Sequence, residues 1–94
     1  MDPPSYGRGP NGETWKIEND LFPFVKLCTQ ILTDEPLFFL INGYTTGLQP
    51  MVLKNMLELT LKGKAGRATA YEVGIKTEEG ISLPCGAGGM FIHD

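Results

Sequence analysis

The residues near the start of the chain combine side chains suited to chemistry with a stiff backbone. The sequence there reads Asp2-Pro3-Pro4-Ser5-Tyr6-Gly7-Arg8-Gly9. Two consecutive prolines each fix φ and remove an N–H donor, and the residue before a proline is pushed towards extended geometry. We therefore expect Asp2 to end a strand and a rigid turn to follow it. A carboxylate, a stiff turn and an aromatic ring would form a platform for a substrate. The alternative explanation is a terminal tail rich in proline and glycine.

A second polar segment, residues 42–47, follows the apolar run 37–41. Open α/β sheets place their ligands beyond the carboxyl ends of the strands. This segment offers an amide, a phenol and two hydroxyls as hydrogen-bonding groups. We take Asn42, Tyr44 and Thr45 as candidate substrate-binding residues, and an ordinary strand-to-helix loop is the alternative.

A helix is predicted from a cap at Asn19 or Asp20 to about Thr33, because apolar residues recur there at spacings of three and four. Pro23 would lie in its first turn, where a missing N–H does little harm. Residues 7–19 before it are predicted to be a loop. Trp15 ends that loop and either packs on the helix or faces a substrate. The predicted apolar face of the helix consists of Leu21, Phe24, Val25, Cys28, Ile31 and Leu32.

The continuous apolar run 37–41 is typical of a strand that is buried on both faces. A second helix should begin at Pro50 and stop at Gly63, since proline suits the first helical position and glycine the position after the last. Its predicted apolar face consists of Leu53, Met56, Leu57, Thr60 and Leu61.

From Ala68 the hydrophobic period changes to two, which predicts a strand. Residues 77–80 are predicted to turn the chain into a hairpin whose second strand begins with residues 81–83. Residues 84–89 are expected to interrupt that strand because they are rich in glycine, and residues 90–92 to resume it. The order of elements predicts an α/β fold, with the strand that ends at Asp2 parallel to the strand at 37–41 and joined to it by a right-handed crossover.

Composition limits the chain to a single domain or a fragment of one, since it has 94 residues. Its 8 basic and 11 acidic residues give a net charge of −3, which argues against nucleic-acid binding through bulk charge. Cys28 and Cys85 lie far apart and form no Cys-x-x-Cys pair, so we expect reduced thiols in a cytoplasmic protein and no zinc site. We expect no metal and no membrane segment, because the longest apolar run is too short to span a bilayer.

The Asp-Pro-Pro-Ser-Tyr run resembles the motif after the fourth strand of class I S-adenosylmethionine (AdoMet) methyltransferases. The longer run through Pro10, with Thr14-Trp15-Lys16 after it, resembles bacterial 23S rRNA methyltransferase-like proteins. The resemblance implies the C-terminal half of a doubly wound, Rossmann-like sheet, with two helices and parallel strands followed by an antiparallel hairpin. It further implies an AdoMet-dependent enzyme of RNA modification that acts on rRNA.

Carried over residue by residue, the resemblance assigns Asp2, Pro3 and Pro4 as catalytic, with Asp2 also beside AdoMet. It assigns Ser5, Tyr6 and Arg8 to the acceptor, in addition to the candidates in residues 42–47.

Two departures from that family limit what the isolated chain can do. The glycine-rich turn that holds AdoMet has no counterpart, and Gly86-Ala87-Gly88-Gly89 lacks the context of a helix start. The nucleophilic cysteine of the rRNA cytosine-5 enzymes is replaced by residues 42–44, so covalent attack on a pyrimidine carbon is not expected. We therefore expect activity only in combination with an AdoMet-binding half. Methylation of an amino group on DNA or protein, and a non-enzymatic α/β module that forms homo-oligomers through a sheet edge, are the alternatives.

Overall fold

The helices and strands follow one another in the predicted order, with one additional hairpin near the start. The structure is a computed structural model that describes residues 1–94. The elements in chain order are β1 (Tyr6–Arg8), β2 (Thr14–Lys16), α1 (Ile17–Gln30), β3 (Phe38–Gly43), α2 (Pro50–Thr60), β4 (Gly66–Lys76) and β5 (Ser82–His93).

The main sheet has the strand order β3-β5-β4, and both of its strand pairs are antiparallel. The predicted pair of parallel strands is therefore not confirmed. Met1 alone pairs with β3 on its free edge: its nitrogen donates to the Leu40 carbonyl, and its carbonyl accepts from the Asn42 nitrogen. These two bonds flank Ile41 and run in the parallel sense. Pro3 and Pro4 lack N–H donors, so the pairing cannot continue past Asp2.

Residues 7–19 are not the loop that the sequence predicted. Strands β1 and β2 pair antiparallel, with Gly7 opposite Trp15. The Asn11-Gly12 dipeptide lies in the turn, and Gly12 has a φ of +87°, a conformation that glycine adopts without a steric penalty. The strands are three residues each, too short to show an alternating pattern in the sequence.

Helix α1 begins three or four residues earlier than predicted and ends about three residues earlier. Neither Asn19 nor Asp20 precedes it; instead the Asp20 carboxylate accepts a hydrogen bond from the Lys16 backbone nitrogen at 2.8 Å, which satisfies a donor at the helix start. Pro23 lies inside the helix rather than in its first turn. The buried stripe is Ile17, Leu21, Val25 and Thr29. Of the predicted face, Phe24 and Ile31 are exposed.

Helix α2 begins at Pro50 as predicted, and Gly63 follows its end with a φ of +90°. Leu53, Leu57 and Leu61 are buried, which confirms the predicted face. They pack in one cluster with the buried residues of α1 and with the sheet residues Ile41, Ala87 and Phe91. The core therefore lies between the two helices and one face of the sheet.

Strand β5 runs without interruption through residues 84–89, so the predicted break there is wrong. The glycines are accommodated because neighbouring groups occupy the space of their missing side chains. A Cβ on Gly88 would lie 2.3 Å from the Tyr71 ring, and a Cβ on Gly89 would lie 2.8 Å from the Leu53 Cβ. The pairing of β4 with β5 has one register shift: Val73 lies opposite Gly86 and Gly74 opposite Pro84, so Cys85 of β5 has no partner on β4.

The second face of the sheet is not covered by a helix. Phe38 pairs with Ile92 across β3 and β5, and their side chains are 64% and 43% exposed. The prediction that the strand after the first helix is buried on both faces is therefore wrong. The chain measures only 17 Å in its thinnest dimension, which corresponds to one helix layer on one sheet. Neither helix has the length and hydrophobicity needed to cross a membrane.

Candidate functional site

The Asp-Pro-Pro turn is held in place by three different elements. Met1 hydrogen-bonds to β3 immediately before the turn. The Trp15 indole Nε1 of β2 donates to the Pro4 carbonyl at 2.7 Å. The first backbone nitrogen of α1, Ile17, donates to the Ser5 carbonyl at 3.0 Å. The start of the chain is therefore an ordered part of the fold, and the alternative of a loose terminal tail does not describe it.

A hydroxyl pair brings the two predicted polar segments together. The Ser5 Oγ and the Thr45 Oγ1 form a hydrogen bond across 40 positions of sequence. Thr45 belongs to the loop that leaves the carboxyl end of β3. The turn and this loop therefore lie side by side at the carboxyl end of β3.

An open cleft of about 360 Å³ lies directly against the turn. Trp15 and Phe24 form an aromatic wall, with ring centroids 5.5 Å apart and planes at 84° to one another, an edge-to-face arrangement that aromatic pairs favour. Asp2 contributes the only charged side chain, and no lysine or arginine side chain lines the space. We call this the turn cleft; it is lined by Met1, Asp2, Pro3, Pro4, Trp15 and Phe24.

Tyr6 and Arg8 do not line the turn cleft. Both lie on β1, where the Arg8 Nε donates to the Tyr6 hydroxyl at 3.1 Å. Tyr6 is 52% exposed. The structure therefore separates these two predicted acceptor residues from Asp2, Pro3 and Pro4, although all five belong to one short run of sequence.

Asn42 and Tyr44 also lie outside the turn cleft, in two different places. Asn42 is half-buried on β3, and its backbone carries one of the hydrogen bonds to Met1. The Tyr44 ring lies over Gly86 and lines a smaller cleft of about 220 Å³ together with Thr45, Glu72 and Cys85. Of the residues predicted in this loop, only Thr45 contacts the turn through a side chain.

The basic residues at the end of α2 line a separate cleft of about 360 Å³. Lys64 is within 3.7 Å of the Asp34 carboxylate, and Lys54 pairs with Glu58 at 2.8 Å. A helix C-terminus carries partial negative charge that attracts cations. The position of these basic residues is therefore explained without invoking a bound ligand. No group of three histidine, cysteine, aspartate or glutamate side chains is arranged to hold a metal ion.

Asp2, the one residue predicted to contact AdoMet, lines the turn cleft. Protein atoms occupy the positions where side chains of Gly86, Gly88 and Gly89 would lie; a Cβ on Gly86, for example, would meet the Gly43 carbonyl oxygen at 2.4 Å.

Phe24 and Met1 are the lining residues that the sequence did not predict as part of a site, and Phe24 contributes half of the aromatic wall. Phe24 has the spacing of the predicted apolar face, three residues after Leu21, so the sequence indicated the core. No sequence signal distinguishes Phe24 from its buried neighbours. For Trp15 the structure combines both alternatives, since the side chain packs against Phe24 and also faces the cleft.

The whole chain superimposes on part of a known methyltransferase structure. The crystal structure of the SAM-dependent methyltransferase from Agrobacterium tumefaciens matches 99% of this chain with a TM-score of 0.88 and 22% sequence identity. The chain spans 32% of the length of that protein. At this identity the match establishes the fold alone. No protein-family model matches the chain, and neither does any curated protein.

Proposed function

We propose that the chain is the acceptor-side part of an AdoMet-dependent methyltransferase whose methyl acceptor is RNA, with rRNA as the RNA class. The observation that carries this proposal is the placement of the Asp-Pro-Pro turn beside the carboxyl end of β3, with an open cleft against it. The match in fold to a SAM-dependent methyltransferase supports methyl transfer independently of any sequence motif. The choice of RNA as the acceptor rests on the resemblance in sequence alone.

The structure supports a role for the turn in positioning the acceptor. Methyl transfer requires the nucleophile to be held in line with the reacting methyl group, and fixed geometry of this kind contributes much of the rate. The turn is anchored through Met1, Pro4 and Ser5 to three elements of the fold. Asp2 therefore presents its carboxylate from a rigid base, where it can accept a hydrogen bond from a bound acceptor.

AdoMet would be bound mainly by residues outside this segment, because the chain contributes only Asp2 to such a site. The same reasoning assigns phosphate binding by RNA to other parts of a complete enzyme, since the net charge here is −3. We therefore expect the segment to select the acceptor group, and we expect the isolated chain to be inactive.

Calorimetric titration of AdoMet into the 94-residue chain, and into a longer polypeptide that carries the same segment, tests the proposal. Binding to the longer polypeptide alone is the expected result. Binding to the short chain would mean that the cofactor site is misplaced, and absence of binding to both would contradict the proposal. Transfer of labelled methyl groups to RNA, DNA and protein then separates the RNA acceptor from an amino group on DNA or protein.

A second candidate function is self-association without catalysis. Strand β4 pairs only with β5, which leaves its other edge unpaired over residues Gly66–Lys76. Long unpaired edges are templates for pairing with another chain. Sedimentation over a range of protein concentrations tests this candidate, and a monomer at the highest concentration would exclude it.

A further inference from the structure

We infer that β4 is the interface of a symmetric homodimer, in which the free β4 edges of two copies of this chain pair antiparallel with Tyr71 opposite Tyr71. The inference rests on the second candidate function, because it assigns the partner, the strand direction and the register to self-association through this edge. It requires no methyl transfer, so it can be tested separately from the methyltransferase proposal.

Strand β4 offers backbone groups for pairing along its whole free edge. It has 11 residues, none of them proline, and only its other edge pairs with β5. The Thr77 nitrogen donates to the Ile81 carbonyl at 2.7 Å, and neighbouring residues of a strand direct these groups to opposite sides. The extra residue at the register shift belongs to β5, so the alternation continues through β4. The even-numbered residues 66–76 therefore direct their N–H and C=O groups to the free edge, which is a template for a further strand.

Opposite charges flank the two ends of β4. Lys62 and Lys64 precede the strand, and Arg67 is its second residue. Glu78 and Glu79 lie in the exposed turn that follows its last residue. Of these five side chains, only that of Lys64 has an ionic partner within the chain. The strand therefore runs from a basic start to an acidic turn, and most of these charges are free to meet another chain.

Antiparallel pairing places the basic start of each β4 beside the acidic turn of the other copy. The two-fold symmetry of such a dimer makes this contact twice. Parallel pairing would instead place basic beside basic and acidic beside acidic, which is destabilising. A foreign strand of one charge sign would match only one end of β4. The charge distribution along β4 is thus complementary to itself, which favours a second copy of this chain as the partner.

The register follows from the length of β4 and from Glu72. Tyr71 is the middle residue of the strand, so placing it opposite its own copy pairs all 11 residues and sets Thr69 opposite Val73. A slide of one residue would set side chains of the helix-covered face against those of the uncovered face. A slide of two residues either brings Glu72 opposite Glu72, a like-charge pair, or leaves the last two residues of each strand beyond the end of the other.

Charge variants test the direction of pairing. Glu78→Lys with Glu79→Lys makes both ends of β4 basic, and Lys62→Glu with Arg67→Glu makes both ends acidic. Each double variant should weaken dimerisation about tenfold or more, since several surface ion pairs are lost in each dimer. An equimolar mixture of the two variants should form heterodimers as readily as the unsubstituted chain forms homodimers, because every contact again joins opposite charges. Sedimentation velocity over a range of protein concentrations measures all of these associations.

Glu18→Lys with Glu35→Lys is the matched control for the charge variants. It changes the net charge by the same amount as the substitutions at Glu78 and Glu79, on exposed residues of α1 and of the segment before β3. Dimerisation of this control should equal that of the unsubstituted chain. Far-ultraviolet circular dichroism should be the same for all of these variants.

Cysteine cross-linking tests the register. In a background of Cys28→Ser and Cys85→Ser, chains with Thr69→Cys are mixed with chains with Val73→Cys in the presence of oxidised glutathione. A disulfide should join the two kinds of chain, because directly paired residues have Cα atoms within the distance that a disulfide spans. Chains of one kind alone should give only background cross-linking, since Thr69 and Val73 each lie well away from their own copies in this register.

The inference is overturned by a monomer at the highest concentration, by a mixture of charge variants that stays monomeric, or by a control that dissociates as the variant at Glu78 and Glu79 does. Heterodimers without a disulfide between positions 69 and 73 would overturn the register and leave self-association standing. A longer polypeptide that binds AdoMet and transfers methyl groups as a monomer would support the proposed function and overturn this inference.

Discussion

The hydroxyl groups of Ser5 and Thr45 are hydrogen-bonded to each other, although 40 positions separate them in the sequence. Ser5 follows the Asp-Pro-Pro turn, and Thr45 lies in the loop after β3. This is the single side-chain contact by which the two polar segments of the candidate site meet. It couples the geometry of the turn to that of the loop.

Removal of the Ser5–Thr45 bond should cost little stability. The pair is exposed, so we expect Ser5→Ala and Thr45→Ala each to lower the free energy of unfolding by about 0.5–1 kcal/mol. The double variant should lose less than the sum, with a coupling energy of about 0.5 kcal/mol. Urea unfolding of the four proteins measures this coupling.

Thr46→Ala provides the control for the same cycle, because Thr46 is exposed on the same loop and bonds to no side chain. Its effect should add to that of Ser5→Ala within about 0.3 kcal/mol. Equal coupling for Thr45 and Thr46 would show that the contact does not join the two segments.

The Trp15–Pro4 bond is exposed, like the Ser5–Thr45 bond, but its donor belongs to a half-buried ring that also packs against Phe24. Trp15→Phe retains an aromatic ring beside Phe24 and removes the N–H, and we expect a loss of about 1 kcal/mol. Trp15→Leu also removes the edge-to-face pair with Phe24 and should cost about 0.5–1.5 kcal/mol more than Trp15→Phe. Urea unfolding followed by far-ultraviolet circular dichroism measures both. Equal stability of Trp15→Phe and the unsubstituted chain would mean that the turn is held by its other bonds alone.

Core packing beneath the site depends on Leu53, which is fully buried between α2 and β5. Leu53→Ala leaves a cavity and should cost about 2–5 kcal/mol. That is a large share of the stability of a domain of this size, which is about 5–15 kcal/mol.

Val52→Ala is the neighbouring control, because Val52 is 39% exposed, and its cost should stay near or below about 1 kcal/mol. Thermal unfolding of the two variants should differ clearly; similar midpoints would contradict the packing described here.

The helical part of the fold was predictable because its signals are local. Pro50 and Gly63 mark the limits of α2 through their own backbone preferences, and Leu53 and Leu57 mark its buried face by spacing alone. The hairpin of β1 and β2 was missed because three-residue strands carry no period. Its turn signal, Asn11-Gly12, was present but lacked flanking support.

The errors in the sheet have a common cause in tertiary contacts. Whether a strand has one or two covered faces depends on which elements pack on it, so the sequence 37–41 could not reveal that Phe38 is exposed. The glycines of β5 read as a break because local propensity disfavours them in strands. These glycines leave room for Tyr44, Tyr71 and Leu53, which are far away in the sequence. The same limit concealed Phe24, whose neighbour across the cleft is Trp15 on a different element.

Gly86 tests the account of β5 most directly. A Cβ at this position would lie 2.4 Å from the Gly43 carbonyl oxygen and 2.7 Å from the Tyr44 Cδ1. The carbonyl belongs to the backbone of β3 and cannot move without disturbing the sheet. We expect Gly86→Ala to lower the free energy of unfolding by about 1–3 kcal/mol, as measured by urea unfolding.

Two comparisons separate this clash from a general effect of replacing glycine in a strand. Gly7→Ala adds a methyl group to β1 where no atom lies within 4 Å, so its effect should be within about 0.5 kcal/mol. Gly88→Ala meets the half-exposed ring of Tyr71 at 2.3 Å, and the added substitution Tyr71→Ala should recover part of its loss. Gly86→Ala should not be rescued by Tyr44→Ala, because the carbonyl contact remains. Rescue at Gly86 would show that the aromatic ring, and not the backbone of β3, requires the glycine.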